Sequence, residues 1–272
     1  MIKTGDWDMK DDARAEMLRC DDGATLAYHR SPGATPGVIF LTGYMSDMTG
    51  QKALRLEAFC RARGRAFLRF DYYGHGESSG AFIDGTIGRW ADDAVCALDN
   101  LTEGPQVLVG SSLGGWIMVL AALRRRERIA GLLGIAAAPD FTETLIPQML
   151  DDEHRAALER DGVCYLASPY DEQPTPVTHD ILVEGRLHLV LDGDIPLDCP
   201  VRLIHGLADP DVPWQTSLKL AEKLQATDVA LTLVKDGGHR MSEPADLDRL
   251  CETLDELLRR IEGSDGGAAP GA

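Results

Sequence analysis

The strongest chemical signal in the sequence is a serine between glycines, in the stretch Gly110-Ser111-Ser112-Leu113-Gly114-Gly115. A serine hydroxyl is a weak nucleophile, so it must be exposed beside a general base. Glycines two residues before and two residues after Ser112 permit a sharp strand-to-helix turn that exposes the hydroxyl. The helix N-terminus that follows supplies free N–H groups for a developing oxyanion. The pattern predicts that Ser112 is a nucleophile.

A second stretch, Gly76-Glu77-Ser78-Ser79-Gly80, has the same spacing of glycine and serine. Its context differs, because the preceding predicted strand ends several residues earlier and no predicted helix begins on it. We therefore interpret this copy as a glycine-rich loop. For Ser112 the alternative is a purely structural turn between a strand and a helix.

A serine hydrolase of this kind needs an acid and then a histidine after the serine. His239 follows the last predicted strand, in a Lys-Asp-Gly-Gly-His-Arg loop whose two glycines permit close approach to a site. Asp209 follows the penultimate strand, and Asp211 is the alternative acid, with the capping of a helix as its structural role. Among the other histidines, His75 lies in the glycine-rich loop and could approach the site, whereas we expect His205 to be packed and hydrogen-bonded.

An alternating framework of strands and helices must bring these residues together. Short apolar runs alternate with helical segments of about ten residues or more, which predicts an α/β fold with a mostly parallel sheet between helices. Two strands joined by Asp21-Asp22-Gly23 predict an antiparallel pair. We expect a core from residues 1–138 and 200–261, a largely helical cap insertion at 139–199, and a disordered tail at 262–272.

Four longer segments carry a resemblance to a known family: LTGYMSDM, RFDYYGHGESSG, GPQVLVGSSLGGW and CPVRLIHGLADPDVPW. Together with the DGGHR loop they resemble the α/β-hydrolase fold. More closely, they resemble the mitochondrial acyl-protein (palmitoyl-protein) thioesterases and their bacterial relatives. The resemblance implies Ser112 as the nucleophile and His239 as the base. It also implies Asp209 as the acid, because the family acid occupies the fifth place of HGxxDxxVP.

The oxyanion hole and the substrate pocket follow from the same motifs. The oxyanion hole is expected to use the N–H of Leu113, after the nucleophile, and that of Tyr44, in the loop after strand VIFL. The ring of Tyr44 is also a candidate wall of the pocket. Apolar residues near the motifs and in the insertion indicate an acyl pocket, and the alternative is that they only pack the insertion onto the core. These candidate pocket residues are Met45, Trp116, Phe141, Ile146, Met149 and Trp214.

The expected function is hydrolysis of small-molecule carboxylic esters or thioesters through an acyl-serine intermediate. The alternatives are a C–C bond hydrolase or a cofactor-free perhydrolase with the same three residues, and a non-catalytic binding protein on the same fold. We expect no metal and no organic cofactor, because the cysteines lack the spacing of metal ligands and no dinucleotide fingerprint follows the first strand.

Composition bears on partners and location. With 27 basic and 44 acidic residues the net charge is −17, which disfavours binding to nucleic acid or to anionic lipid. No apolar run reaches the roughly 18 residues of a membrane span. The first 18 residues lack the apolar core of a signal peptide and contain five acids, which transit peptides avoid, so we expect a cytoplasmic protein. All six cysteines are expected to be unpaired.

Overall fold

An eight-stranded mixed sheet forms the centre of the computed structural model, which describes residues 14–167 and 173–265. The strands in this part of the chain are β1 (Glu16–Arg19), β2 (Thr25–Ser31), β3 (Ala34–Leu41), β4 (Arg65–Phe70), β5 (Gln106–Ser111), β6 (Ile129–Ile135), β7 (Val163–Leu166), β8 (Thr175–Thr178), β9 (Val201–Gly206) and β10 (Val229–Val234). The order in the large sheet is β1-β2-β4-β3-β5-β6-β9-β10, and β7 pairs with β8 in a separate hairpin. Only the pairs β1–β2 and β2–β4 are antiparallel in the large sheet, which confirms the predicted α/β fold class.

Helices cover both faces of this sheet. They are α1 (Gln51–Ala62), α2 (Ile87–Leu101), α3 (Leu113–Arg124), α4 (Phe141–Thr144), α5 (Ile146–Met149), α6 (Asp152–Asp161), α7 (His179–Gly185), α8 (Gln215–Lys223) and α9 (Pro244–Asp265). Local signals account for some of their ends: the Thr86 hydroxyl accepts the Arg89 N–H at the start of α2, and α6 ends at Gly162 with φ of 74°. No helix in the described residues is long and apolar enough to cross a bilayer.

Alternation along β3 shows how the sheet divides the core. Val38 and Phe40 pack in one cluster with the buried faces of α1 and α9. Ile39 and Leu41 pack in the other cluster, with α2, α3 and the insertion. Successive side chains of a strand point to opposite faces, so a strand buried on both sides is apolar throughout. This arrangement places the carboxyl ends of β3, β5, β9 and β10 along one edge of the sheet.

The insertion between β6 and β9 contains α4 to α7 and the β7–β8 hairpin. The insertion, expected to be largely helical, begins with two short helices, α4 and α5, which are separated at Leu145. Pro147 explains the break, because its ring would clash with the carbonyl of the residue four positions earlier in a continuous helix. At the base of the insertion, the buried Asp140 carboxylate accepts hydrogen bonds from the N–H groups of Val190 and Leu191.

Two expectations about the periphery need correction. Cys20 and Cys96 form a disulfide, so the prediction that all six cysteines are unpaired was wrong for this pair. They are 76 residues apart in sequence, and packing of the β1–β2 turn against α2 brings their Cα atoms to 6.3 Å. At the other end of the chain, α9 continues to Asp265, so the first four residues of the tail expected to be disordered are helical. The rest of that tail, 266–272, lies outside the described residues.

Candidate active site

Ser112 occupies a sharp turn between β5 and α3. Its backbone has φ of 55° and ψ of −118°, which costs a residue with a side chain roughly 1–3 kcal/mol. Hydrogen bonds from both sides hold this conformation. The Ser112 N–H donates to the carbonyl of Ile135 at 2.9 Å, and the Ser112 carbonyl accepts the N–H of Ala138 at 3.0 Å. The end of β6 and the segment directly before the insertion therefore fix the backbone of the candidate nucleophile.

The glycines of this turn are required by close approaches. A side chain at Gly110 would collide with the carbonyl of Gly114, because the chain folds back directly onto the strand. A side chain at Gly114 would collide with the carbonyls of Leu41 and Thr42 at the end of β3. The first turn of α3 thus packs directly on the loop after β3, which is where the second oxyanion donor was expected.

His239 links Ser112 to Asp209. Its Nε2 lies 3.0 Å from the Oγ of Ser112, and its Nδ1 lies 2.8 Å from the Oδ2 of Asp209. The His239 loop passes so close to the end of β9 that a side chain at Gly206 would collide with the backbone of Gly237. The structure therefore brings together the three residues that the sequence predicted, at distances that permit proton transfer from the serine to the histidine.

Four donors surround the buried carboxylate of Asp209. Besides His239, the Nε2 of His205 lies 3.1 Å from Oδ2, and the N–H groups of Asp211 and Val212 each donate to Oδ1 at 2.9 Å. Burial alone would raise the pKa of the Asp209 carboxyl. The hydrogen bonds from His205 and His239, the charge of His239 and the Val212 N–H outweigh burial and hold this pKa well below its usual value. Asp209 is thus an anion that faces the imidazole.

Asp211 has a different position from its neighbour. Its side chain lines the cavity described below, and Trp214, not Asp211, occupies the N-cap position of α8. One ligand atom each from Asp209, Asp211 and His239 lie within 4.8 Å of one another, a spacing that among the described residues marks a possible metal site. These atoms could hold a cation, so the expectation of metal-free activity stays a prediction.

Two backbone N–H groups stand near Ser112 as candidate oxyanion donors. Within the described chain, neither Leu113 nor Tyr44 donates its N–H to a protein acceptor. Gly43 brings the Tyr44 loop against the turn, because a side-chain carbon built on Gly43 would lie 3.5 Å from the Cβ of Ser112. The side chain of Tyr44 contacts the insertion, where its hydroxyl donates to the carbonyl of Pro176 at 2.8 Å.

A cavity of about 430 Å³ opens beside Ser112 and His239. Four of the six candidate pocket residues line it: Met45, Phe141, Ile146 and Met149. Two further apolar residues of the insertion, Leu145 and Leu166, also line it. Trp116 and Trp214 do not belong to the described lining. Trp116 is fully buried, and its Nε1 donates to the carbonyl of His188 at 3.0 Å, so this residue packs the insertion onto the core.

Part of the cavity wall is polar, which sequence reasoning missed. Lys52 of α1 lines it, and its Nζ donates to the carbonyl of Arg240 at 2.5 Å and lies 3.5 Å from the Oγ of Ser242. Burial, followed by the charge of Arg240, lowers the pKa of Lys52 to about 8. A lysine on an amphipathic helix normally indicates a solvated face, so only the fold reveals that Lys52 holds the loop of His239.

Comparison with known proteins shows which family this chain resembles. The alpha/beta hydrolase family matches residues 38–253. The mitochondrial palmitoyl-protein thioesterase ABHD10 from Bos taurus is 43% identical over 246 residues, which cover 90% of this chain and 80% of that protein. The corresponding Homo sapiens protein is 42% identical with the same coverage.

Solved structures agree with this placement. Alpha/beta hydrolase domain-containing protein 10 from mouse superimposes with a TM-score of 0.85 and 42% identity, covering 92% of this chain and all of that chain. A hydrolase from Agrobacterium vitis S4 gives a TM-score of 0.86 and 41% identity, covering 89% of this chain and 98% of that chain.

The relatives also bear on location. The matched thioesterases are named as mitochondrial proteins, which contradicts the expectation of a cytoplasmic location. The fold and the sequence similarity, in contrast, agree over nearly the same residues. The chain is therefore a member of the alpha/beta hydrolase family.

Proposed function

We propose that this chain is a serine hydrolase that cleaves carboxylic esters or thioesters through an acyl intermediate on Ser112. The hydrogen-bonded series Ser112 Oγ, His239 and Asp209, which opens onto a cavity with an apolar wall, carries the proposal. Family membership supports hydrolysis, and relatives named palmitoyl-protein thioesterases support an acyl substrate in thioester or ester linkage.

The geometry supports a two-step acyl transfer. His239 Nε2 takes the hydroxyl proton as the Oγ of Ser112 attacks the acyl carbonyl carbon, and Asp209 stabilises the imidazolium through Nδ1. The N–H groups of Leu113 and Tyr44 bind the oxyanion. His239 then gives its proton to the leaving alcohol or thiol, and the C–O or C–S bond breaks. Water, deprotonated by His239, hydrolyses the acyl-serine ester and frees Ser112.

The apolar wall and the polar wall of the cavity contact different parts of the substrate. The acyl chain lies against Phe141, Ile146 and Met149, because burying apolar surface there is favourable. The polar wall around Lys52 and Arg240 then faces the leaving group. This arrangement orients the scissile carbonyl between Ser112 and the two oxyanion donors.

A fluorophosphonate probe and a substrate panel test the proposal. The probe should label the wild-type protein and the Ser78→Ala variant but not the Ser112→Ala variant, since Ser78 has the same glycine spacing without the base. Wild-type protein that has not been treated with the probe should hydrolyse p-nitrophenyl esters or acyl thioesters of two to sixteen carbons, and the probe should abolish this activity. Absence of labelling in folded protein would favour a binding protein. Labelling without turnover of any ester or thioester would favour a C–C bond hydrolase.

A further inference from the structure

A second imidazole contacts the carboxylate that holds His239. His205, near the carboxyl end of β9, is fully buried, and its Nε2 lies 3.1 Å from the Oδ2 of Asp209. The same Oδ2 lies 2.8 Å from the Nδ1 of His239. One carboxylate oxygen therefore stands between two imidazole rings, only one of which reaches Ser112.

The neighbours of His205 determine where its hydrogen lies. Its Nε2 faces two acceptors, the Oδ2 of Asp209 and the carbonyl of Val212 at 2.9 Å, so Nε2 carries the hydrogen and donates. Its Nδ1 lies 2.6 Å from the Oγ of Ser217 on α8 and accepts that hydroxyl hydrogen. The contacts of the two ring nitrogens therefore hold the ring in one orientation, with Nε2 towards Asp209 and Nδ1 towards Ser217.

This arrangement fixes the carboxylate of Asp209 and weakens its electrostatic attraction to His239. The Oδ1 of Asp209 is held by two backbone N–H groups, and the donor from His205 holds the second oxygen, so the carboxylate plane cannot turn. A hydrogen bond donated to Oδ2 also withdraws negative charge from the oxygen that faces His239. Among the described residues, the other charged groups that line the cavity are Asp47, Asp211 in the same turn as Asp209, and Lys52 and Arg240 on the polar wall.

We infer, on the basis of the function proposed above, that His205 is a positioning residue: its hydrogen bond fixes the carboxylate of Asp209 and draws negative charge from the oxygen that faces His239. His205 touches neither Ser112 nor the cavity, so it acts through the acid. Sequence reasoning expected a packed histidine, and the contact with Asp209 gives that buried ring a part in the reaction.

Two amide variants separate the two sides of the ring. His205→Gln places an amide N–H near the position of Nε2 and keeps a donor for Asp209. His205→Asn reaches only the Nδ1 side, so it keeps a polar contact with Ser217 and loses the one with Asp209. His75→Gln is the matched control, because His75 is also buried but has its contacts in an aromatic cluster away from Asp209.

The measurement is kcat/KM for a p-nitrophenyl ester against pH, with kcat and Tm for each variant. In the His205→Asn variant, the acid limb of the pH profile of kcat/KM should move about 0.5–1 pH unit higher. The reason is that the Oδ2 of Asp209, once it has lost the hydrogen bond from residue 205, stabilises the imidazolium of His239 more strongly. Its kcat at the plateau should fall about tenfold or more, because the carboxylate can turn. His205→Gln should restore most of kcat and return the limb towards the wild-type pH, and His75→Gln should leave the limb in place.

Equal losses of kcat and Tm in both amide variants, with an unmoved acid limb, would overturn the inference and leave His205 a structural residue. If His205→Asn fails to fold, His205→Met provides the variant without a donor, with the same expected shift. A wild-type protein that neither reacts with the fluorophosphonate nor turns over ester would instead overturn the proposed function, and the inference with it. If the wild-type protein is active but the acid limb of the pH profile does not move in His205→Asn or His205→Met, only the role of His205 is overturned.

Discussion

Replacing Asp209 by asparagine should change which nitrogen of His239 carries the hydrogen. The carboxylate accepts four hydrogen bonds, two at each oxygen, and its side chain is only 1% exposed, so water cannot substitute for a lost acceptor. An amide has a single oxygen. The two backbone N–H groups at Oδ1 cannot move, so they keep that oxygen, and the NH₂ group takes the place of Oδ2.

The NH₂ group would then donate to the Nδ1 of His239, which forces the hydrogen onto Nε2. That hydrogen would point at the Oγ of Ser112, and His239 could no longer accept the hydroxyl proton. The charge that stabilises the imidazolium would also be absent. In a Ser-His-Asp triad this tautomer change lowers kcat by about 10⁴-fold, which corresponds to about 5.5 kcal/mol of transition-state stabilisation.

Asp211→Asn is the matched control. Its side chain lines the cavity, but its contribution to Asp209 is a backbone N–H that the substitution keeps. We expect its kcat to stay within about tenfold of the wild-type value, since it removes no group from the series Ser112, His239 and Asp209. The assay is kcat for any ester that is turned over, with Tm measured for both variants. A folded Asp209→Asn protein with nearly normal kcat, or an inactive Asp211→Asn protein, would refute the reasoning.

The remaining predictions concern stability and metal. Ser78→Ala should lower the free energy of unfolding by about 1–3 kcal/mol with kcat nearly unchanged, because the Ser78 hydroxyl accepts the N–H of Ala27 in β2 and donates to the carbonyl of Asp71 after β4. Stability should fall by about 3 kcal/mol as the pH drops from 6.5 to 4, because burial lowers the pKa of His75 to about 4. Urea unfolding of wild type and His75→Phe at several pH values measures that slope. Reducing the Cys20–Cys96 disulfide should lower the free energy of unfolding by about 4 kcal/mol, as urea unfolding with and without reductant would show. Treatment with a chelator should leave kcat unchanged.

Each of these outcomes has a result that contradicts it. Loss of turnover in a stable Ser78→Ala protein would give the second glycine-serine stretch a catalytic part. The sign for His75 follows from its lowered pKa: the uncharged ring stabilises the fold above pH 6.5, so an identical slope in His75→Phe would exclude this residue as the cause. Titration of six free thiols without reductant would argue against the disulfide. Activity that is lost in chelator and restored by a divalent ion would refute metal-free chemistry.

The elements of the site were predictable because backbone geometry restricts them. Gly110 and Gly114 occupy places where any side chain would collide, and the approach of Gly237 to Gly206 lets the loop of His239 meet the end of β9. Such close approaches require glycine at fixed distances from the serine and the histidine, and this spacing is visible in the sequence. A serine turn after β5 and a histidine loop after β10 could therefore be located from the sequence before the structure.

The remaining features depend on contacts between distant segments. Trp116 follows the serine motif and Met149 lies in the insertion, and both are apolar, but only the structure shows that Met149 lines the cavity and Trp116 does not. The partner of Cys20 lies 76 residues away on α2, and no local pattern marks the pair. Lys52 resembles any lysine on an exposed helix face, so its bond to the loop of His239 is visible only in the fold.

The carboxylate of Asp140 has a consequence for how this protein can change. It accepts hydrogen bonds from the backbone N–H groups of Val190 and Leu191, so the two ends of the insertion are held together. Just before the insertion, the N–H of Ala138 donates a hydrogen bond to the carbonyl of Ser112. Both donors are backbone N–H groups, so these hydrogen bonds do not depend on which side chains follow the insertion. The 49 residues between Asp140 and Val190 can therefore be exchanged as a cassette, altering which acyl groups fit while the turn at Ser112 stays in place.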